Sequence, residues 1–257
     1  MKRMNAGLGV SGVVACLLFT GCDSMSKSTK LSVVKNQTVM VVPVQGQPVT
    51  VVSHHLGVSV VGGMVGTALE RAATGDARQE LAARLNRDAG DFKPEVILAE
   101  ECAQLLKNSP VQAFRSAIMQ EESVLLSEEK KLLTNETTPF RSRQSNMMKW
   151  LSLYNKWRKG PPLAVSGQQG TGDPTLLCLE LRFQWLEINH GNKLDTAALV
   201  RLVDHASRRV IGAQYVGHES YDIRPVTTDS DPAVFKEDFR GLAKQLARKA
   251  LTKMKLL

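Results

Sequence analysis

The chain of 257 residues, 43 % hydrophobic, is long enough for one elaborated domain with a packed core. Its formal charge of +8 favours anionic surroundings, but the basic residues are scattered apart from one local cluster, which argues against a nucleic-acid surface. The four cysteines form no C-x-x-C pair and no spaced His/Cys set, so no zinc site is expected.

Residues 1–21 have the parts of an export leader: Lys2 and Arg3, an apolar middle from about Gly7 to Phe19, and small residues before Cys22. The middle is too short and too rich in glycine for a permanent span. Leu17-Leu18-Phe19-Thr20-Gly21-Cys22 resembles the lipobox of bacterial lipoproteins, with Phe19 where Leu is usual. The resemblance implies cleavage before Cys22 and acylation of that residue; Cys16, after Val13-Val14-Ala15, is the rival. Each buried acyl CH₂ contributes about 0.8 kcal/mol, so several chains together anchor stably. Asp23 resembles an inner-membrane retention signal, and inner versus outer membrane stays open. Residues 22–30 read as a polar tether, and 31–257 as one periplasmic domain.

Val39 to Val44 is β-branched and apolar, a buried-strand signal ended by Pro43 and Gly46, and Pro48 to Val52 is the segment to pair with it. His54 and His55, adjacent in a strand, point to opposite faces and do not share a metal. Gly57 to Leu69 carries Gly62-x-x-x-Gly66 and reads as a buried glycine-rich helix or turn. A helix opens at Asp76 with Leu81 and Leu85 on one face. A second begins at Pro94, and its stripe of Leu98, Cys102, Leu105 and Leu106 faces the core. Ser109-Pro110 breaks it. Val111 to Met119 is strand or helix, Glu121 to Leu133 is helical, and Asn135 to Ser145 is a polar loop. The region of about 94–160 is therefore expected to be largely helical. Met147, Trp150, Leu151, Tyr154 and Trp157 recur at helical spacing among lysines and arginines, and Gly160-Pro161-Pro162 ends that helix. Trp150, Tyr154 and Trp157 are the candidate partner-binding residues if their rings face outward; packing on the chain's own sheet is the alternative.

Ser166 to Asp173 is glycine-rich but lacks the Gly-Lys-Ser/Thr ending of a phosphate loop. Leu177, Leu179, Leu181, Phe183 and Trp185 alternate with Cys178, Glu180, Arg182 and Gln184, the pattern of a half-buried strand. Asn189 to Asn192 is a turn, Leu194 to Val203 a second strand, Asp204 to Arg209 another turn, and Val210 to Val216 a third strand. Asp231-Pro232 caps a last helix with Phe235, Phe239, Leu242, Leu246, Ala250 and Met254 inside. The fold class is α/β (or α+β): a mixed sheet with a C-terminal three-stranded meander, flanked by helices.

This order, with a Val-rich first strand ending in Pro-Val, the pair around Val200 to Ala213 and a final amphipathic helix, resembles periplasmic lipoproteins of the curli-secretion and penicillin-binding-protein-activator type, and the amino-terminal domain of the Tol-system β-propeller protein. The resemblance implies an α/β plan and an envelope location; it brings no site residue with it. In the oxidising compartment that follows, Cys102 and Cys178 are free to form a disulfide, a closure worth on the order of 4 kcal/mol.

The sequence contains no Gly-x-Ser-x-Gly and no His-Glu-x-x-His. Asp204-His205 reads as turn chemistry, as do His190 and His218. No catalytic residue, metal ligand or cofactor is therefore assigned. The leading expectation is a lipid-anchored, non-catalytic envelope protein that binds a protein or peptidoglycan partner. The alternative is a structural subunit of a secretion or surface-assembly complex, with homo-oligomers allowed, and an envelope hydrolase ranks third. Replacing Cys22 with Ser should leave an unprocessed precursor that no longer takes up labelled palmitate; a labelled variant would move the anchor to Cys16 or remove it.

Overall fold

The computed structural model describes residues 34, 37–51, 77–87, 92–109, 111–121, 123–132, 147–163, 176–189, 192–227 and 229–257. The leader with Cys16 and Cys22, the tether, His54 and His55, the Gly57 to Leu69 stretch, the loops 135–145 and 166–173, and His190 lie outside them. Among the described residues no helix is long and apolar enough to cross a membrane.

Six strands form one mixed sheet: β1 (Thr38–Pro43), β2 (Thr50–Val51), β3 (Gln112–Arg115), β4 (Leu176–Ile188), β5 (Lys193–Asp204) and β6 (Arg209–Asp222). The order is β3-β1-β4-β5-β6, with β2 beside β4. β1 runs parallel to both β3 and β4, while β4, β5 and β6 form an antiparallel meander, as the alternation and turn residues of the sequence require. The helices are α1 (77–87), α2 (Pro94–Lys107), α3 (Ser123–Leu132), α4 (Met147–Lys159) and α5 (Pro232–Met254). The fold is mixed α/β. Two expectations change. β2 pairs with β4 rather than β1, because β1 ends at Pro43 and the chain returns alongside the far end of β4, where Thr50 meets Glu187. The region 94–160 is not wholly helical: β3 interrupts it and extends the sheet beyond β1.

The first face of the sheet carries the larger core. Val39 and Val41 of β1, Leu177, Leu179, Leu181 and Phe183 of β4, and Val200 and Leu202 of β5 pack against α1, α2 and α5. Leu81 and Leu85 of α1 and Leu98, Cys102 and Leu106 of α2 are buried there. Phe239 of α5 meets Phe183 edge-on at 5.8 Å and Phe92 at 5.4 Å, and Phe92 also meets Phe235 at 5.7 Å. The Asp231 side chain caps α5 by accepting from the Ala233 N–H at 2.8 Å, and Pro232 opens the first turn. The Asn86 amide of α1 bonds both the N–H and the C=O of Val49, at 3.0 and 2.8 Å, which positions the approach to β2.

β4 is buried along its whole length rather than on one side. The second face holds Met40, Val42, Val44, Leu176, Cys178 and Val203 at one end, and an aromatic cluster under α3 and α4 further along. The alternation also slips by one residue. Phe183 stands opposite Ala198, yet Trp185 stands opposite Ala197, so Gln184 is the extra residue of a β-bulge. Trp185 therefore joins the second face and Leu186 takes the first, against the phase that the sequence suggests.

Cys102 belongs to the first-face core and Cys178 to the second, with the sheet between them; both are free thiols, so the disulfide allowed by the sequence is not formed. Truncating the ring at the centre of the first face, Phe239→Ala, should lower unfolding stability by about 3–5 kcal/mol. A urea midpoint within error of the unsubstituted protein would show that this aromatic contact is not central to the core.

Candidate functional site

Bulge and burial together decide what the second face offers. Before the bulge, β4 points Glu180 and Arg182 at α3 and α4, and both side chains are buried. Arg182 makes a two-pronged pair with Glu129 of α3, both N···O distances being 2.6 Å, and neither group is exposed. Its Nε donates to the Gln45 carbonyl at 3.0 Å, and the Gln47 amide donates to Glu129 at 2.7 Å. Between these, the Gly46 N–H donates to Glu95 at the start of α2 at 2.9 Å. A Cβ at position 46 would lie 2.4 Å from the Phe183 carbonyl oxygen and 2.6 Å from Glu95 Oε1, so only glycine lets the turn pass there. Burial pushes the Glu95 carboxyl up to about 7; its own N–H, the Gly46 N–H and the Arg182 charge pull in the other direction.

Arg201 of β5 makes the second buried pair, its Nε donating to Glu180 Oε2 at 2.5 Å. The rest of its guanidinium closes the end of α4. It donates to the carbonyls of Trp157, of Gly160 at 3.4 Å and of Pro161 at 3.1 Å, and it lies 4.6 Å from the centre of the Trp157 ring. Glu180 Oε1 accepts from the Leu163 N–H at 3.0 Å. Burial raises the Glu180 carboxyl above its ordinary range, while the Arg201 charge and hydrogen bond and the Leu163 N–H lower it. Arg201 and Glu180 thus hold the segment from Trp157 to Leu163 against the sheet.

The three aromatic residues singled out from the sequence are brought together, but on the inside. Trp150, Tyr154 and Trp157 are buried with Leu125, Leu153 and Leu199. Tyr154 meets Tyr215 at 5.9 Å, and Trp185 lies 6.4 Å from the same ring. Packing on the chain's own sheet, the alternative read from the sequence, is what the structure shows. Leu151 does not follow them: it is 40 % exposed, and Met148, one turn back, is 71 % exposed. Lys149, Lys156 and Lys159 are exposed on the same helix, with Lys156 3.1 Å from Glu128 of α3. The outward face of α4 therefore carries a small apolar pair with Lys149 and Lys156 along one flank. Leu153 was missed in the sequence because the stripe taken at Met147, Trp150, Leu151, Tyr154 and Trp157 includes Leu151, which faces outward, in its place.

The acid–base candidates are used otherwise. Asp204 accepts from the Ala206 and Ser207 N–H groups at 3.0 and 3.2 Å. The hydrogen bond from the Ser207 side chain leads the effects that hold its carboxyl below the usual range. Cys178 Sγ lies 4.0 Å from His205 Nδ1, but burial pushes that thiol up to about 12, far from a thiolate at neutral pH. His218 lies within β6 rather than in a turn. Among the described residues no group of three or more His, Cys, Asp or Glu is placed to hold a metal ion.

No protein-family model matches the chain, and no curated protein does. Among solved structures it is similar to the PelC dodecamer from Paraburkholderia phytofirmans. A point variant of that protein is 8 % identical, with 91 % of this chain and 95 % of that one covered at a TM-score of 0.36. A second crystal form is also 8 % identical, with 92 % and 94 % covered at 0.34. The chain is likewise similar to lipoprotein GNA1162 from Neisseria meningitidis, at 14 % identity, 82 % and 96 % coverage and a TM-score of 0.22. None of these likenesses places a residue of this chain in a role.

Arg201→Met should cost about 3–5 kcal/mol, because it leaves Glu180 buried without its partner and opens the end of α4. Glu180→Leu combined with Arg201→Met should recover much of that loss. Chemical denaturation of both variants checks this, and a double variant no better than the single one would mean that the α4 carbonyl contacts, not the ion pair, carry the effect.

Proposed function

We propose that the chain is a lipid-anchored cell-envelope protein that acts by binding a protein or cell-wall partner, without catalysis. The observation that carries this reading is the outward face of α4, where Met148 and Leu151 stand exposed with Lys149 and Lys156 to one side. The helix beneath them is fixed by Arg201 and by the buried aromatic cluster. A rigid apolar pair with a basic flank suits a partner that presents an apolar patch edged by carboxylates. The lipobox-like leader supplies the envelope address. The binding reading is also supported by the engagement of Asp204 in its turn and by the burial of the Cys178 thiol.

The second reading, a subunit of a secretion or surface assembly, is favoured by β6. This strand of 14 residues pairs with β5 alone among the described residues, and from Val210 to Gly217 it carries no charge and no proline. Lys253 meets one carbonyl at that edge, donating to Tyr215 at 3.3 Å.

Met148→Asp with Leu151→Asp should lower recovery of the partner on the purified full chain by roughly tenfold or more at an unchanged melting temperature. Trp150→Ala should instead lower the melting temperature. His205→Ala should leave the phenotype intact. Loss of function in His205→Ala at unchanged stability would overturn the non-catalytic reading, and a ladder of crosslinked copies of the chain alone would favour the assembly reading.

A further inference from the structure

We propose that the exposed side of the second half of α5 is a docking face for anionic phospholipid headgroups at a membrane surface. Arg240, Lys244 and Arg248 recur at four-residue intervals and are exposed, so they lie along one face over about 12 Å. Lys249 and Lys253 are exposed further round the same half of the helix. From Arg240 to Leu257 the sequence has six basic residues and no acidic one. The first half of the helix is different: its Glu237 and Asp238 are taken up by Arg224 at 2.8 and 2.7 Å. The charge on α5 is therefore polarised along its length, and Arg240, Lys244 and Arg248 enter no ion pair among the described residues.

The opposite side of the same half is committed. Leu242, Leu246, Ala247, Ala250, Leu251 and Met254 are buried in the first-face core. The helix has no apolar side left to insert into a bilayer, so contact with a membrane would be electrostatic and made by a fixed scaffold. The direction of α5 fits such a surface. Thr38 of β1 stands beside Leu176, Leu177 opposite Asp204, and Asp204 opposite Arg209, which puts these residues at one end of the sheet. α5 starts beyond the other end, where Arg224 binds Glu237, and by Lys253 it has returned to Tyr215 in mid-strand. Its basic half thus leads toward the end at which the chain enters β1 from the side of Cys22. The proposal deepens the anchored-protein reading and rests on it for the membrane's presence, not for the chemistry of the face. A convex helix with evenly spaced cations suits an array of phosphates better than a single directed ligand.

The test is co-sedimentation of the chain beginning at Asp23, which keeps every described residue and carries no acyl group, with phosphatidylcholine vesicles containing or lacking phosphatidylglycerol. Binding is expected only with phosphatidylglycerol and should weaken as salt is raised. R240E/K244E/R248E should partition on the order of a hundredfold more weakly at an unchanged melting temperature. R240Q/K244Q/R248Q, which introduces no new charge, serves the same purpose if the reversal fails to fold. Equal binding by the substituted and unsubstituted chains, binding to pure phosphatidylcholine, or tighter binding to soluble polyglutamate would overturn the proposal. Palmitate labelling of Cys22 in the full chain is read separately, so failure of the anchor and failure of this face are distinguishable.

Discussion

Two guanidinium groups, Arg182 and Arg201, hold the second face of the sheet together. Each is fully buried and meets a carboxylate; Arg182 also meets the Gln45 carbonyl, and Arg201 the carbonyls at the end of α4. Burying an ionised pair costs several kcal/mol per ion in desolvation, and geometry of this quality with filled lone pairs is what offsets it. The return is positional. An apolar side chain tolerates sliding, whereas a planar fork of donors against fixed acceptors does not. Through Arg182 the loop after β1 and helix α3 are set relative to β4; through Arg201 the end of α4 is set relative to β4 and β5.

The two faces therefore do different work. The first is an ordinary apolar core in which α1, α2 and α5 pack by shape, with the three phenylalanine contacts at its centre. The second combines an apolar end, an ionic middle and an aromatic cluster. The connections reflect this. The path from β1 to β3 passes through α2 on the first face, and the path from β3 to β4 passes through α3 and α4 on the second, so the parallel strands on either side of β1 are reached by opposite routes.

Much of the architecture is legible in the sequence because it rests on local rules. Period-two alternation marks β4, turn residues mark the meander, and Asp231-Pro232 marks the start of α5. The second face is not legible in this way. Glu180 and Arg182 occupy the polar half of an alternating strand, which is also how solvent-facing residues look, and the partner that buries Arg182, Glu129, lies 53 positions away. Likewise Trp150, Tyr154 and Trp157 announce an aromatic side of a helix but not whether sheet or solvent lies beneath it. The exposed pair Met148 and Leu151 emerges only once the rotation of α4 is fixed by Arg201 and the sheet. The basic run on α5 is visible as composition, but the engagement of Glu237 and Asp238, the acidic residues just before it, by Arg224 is not.

The bulge at Gln184 decides which face each residue beyond it takes. Upstream of it, odd-numbered residues face the apolar core; downstream, even-numbered ones do. Exchanging one side chain for another along the strand disturbs one contact. Deleting Gln184 would leave Trp185, Leu186, Glu187 and Ile188 on their present faces, because the bulge residue is the one without a partner. Smoothing the bulge away with every residue kept would instead turn everything beyond it over, carrying Trp185 and Glu187 into the first core and Leu186 and Ile188 out of it. Glu187, directly across from Asp195, would then bring a carboxylate among phenylalanines. The unpartnered residue is therefore dispensable in a way that the phase of the strand beyond it is not.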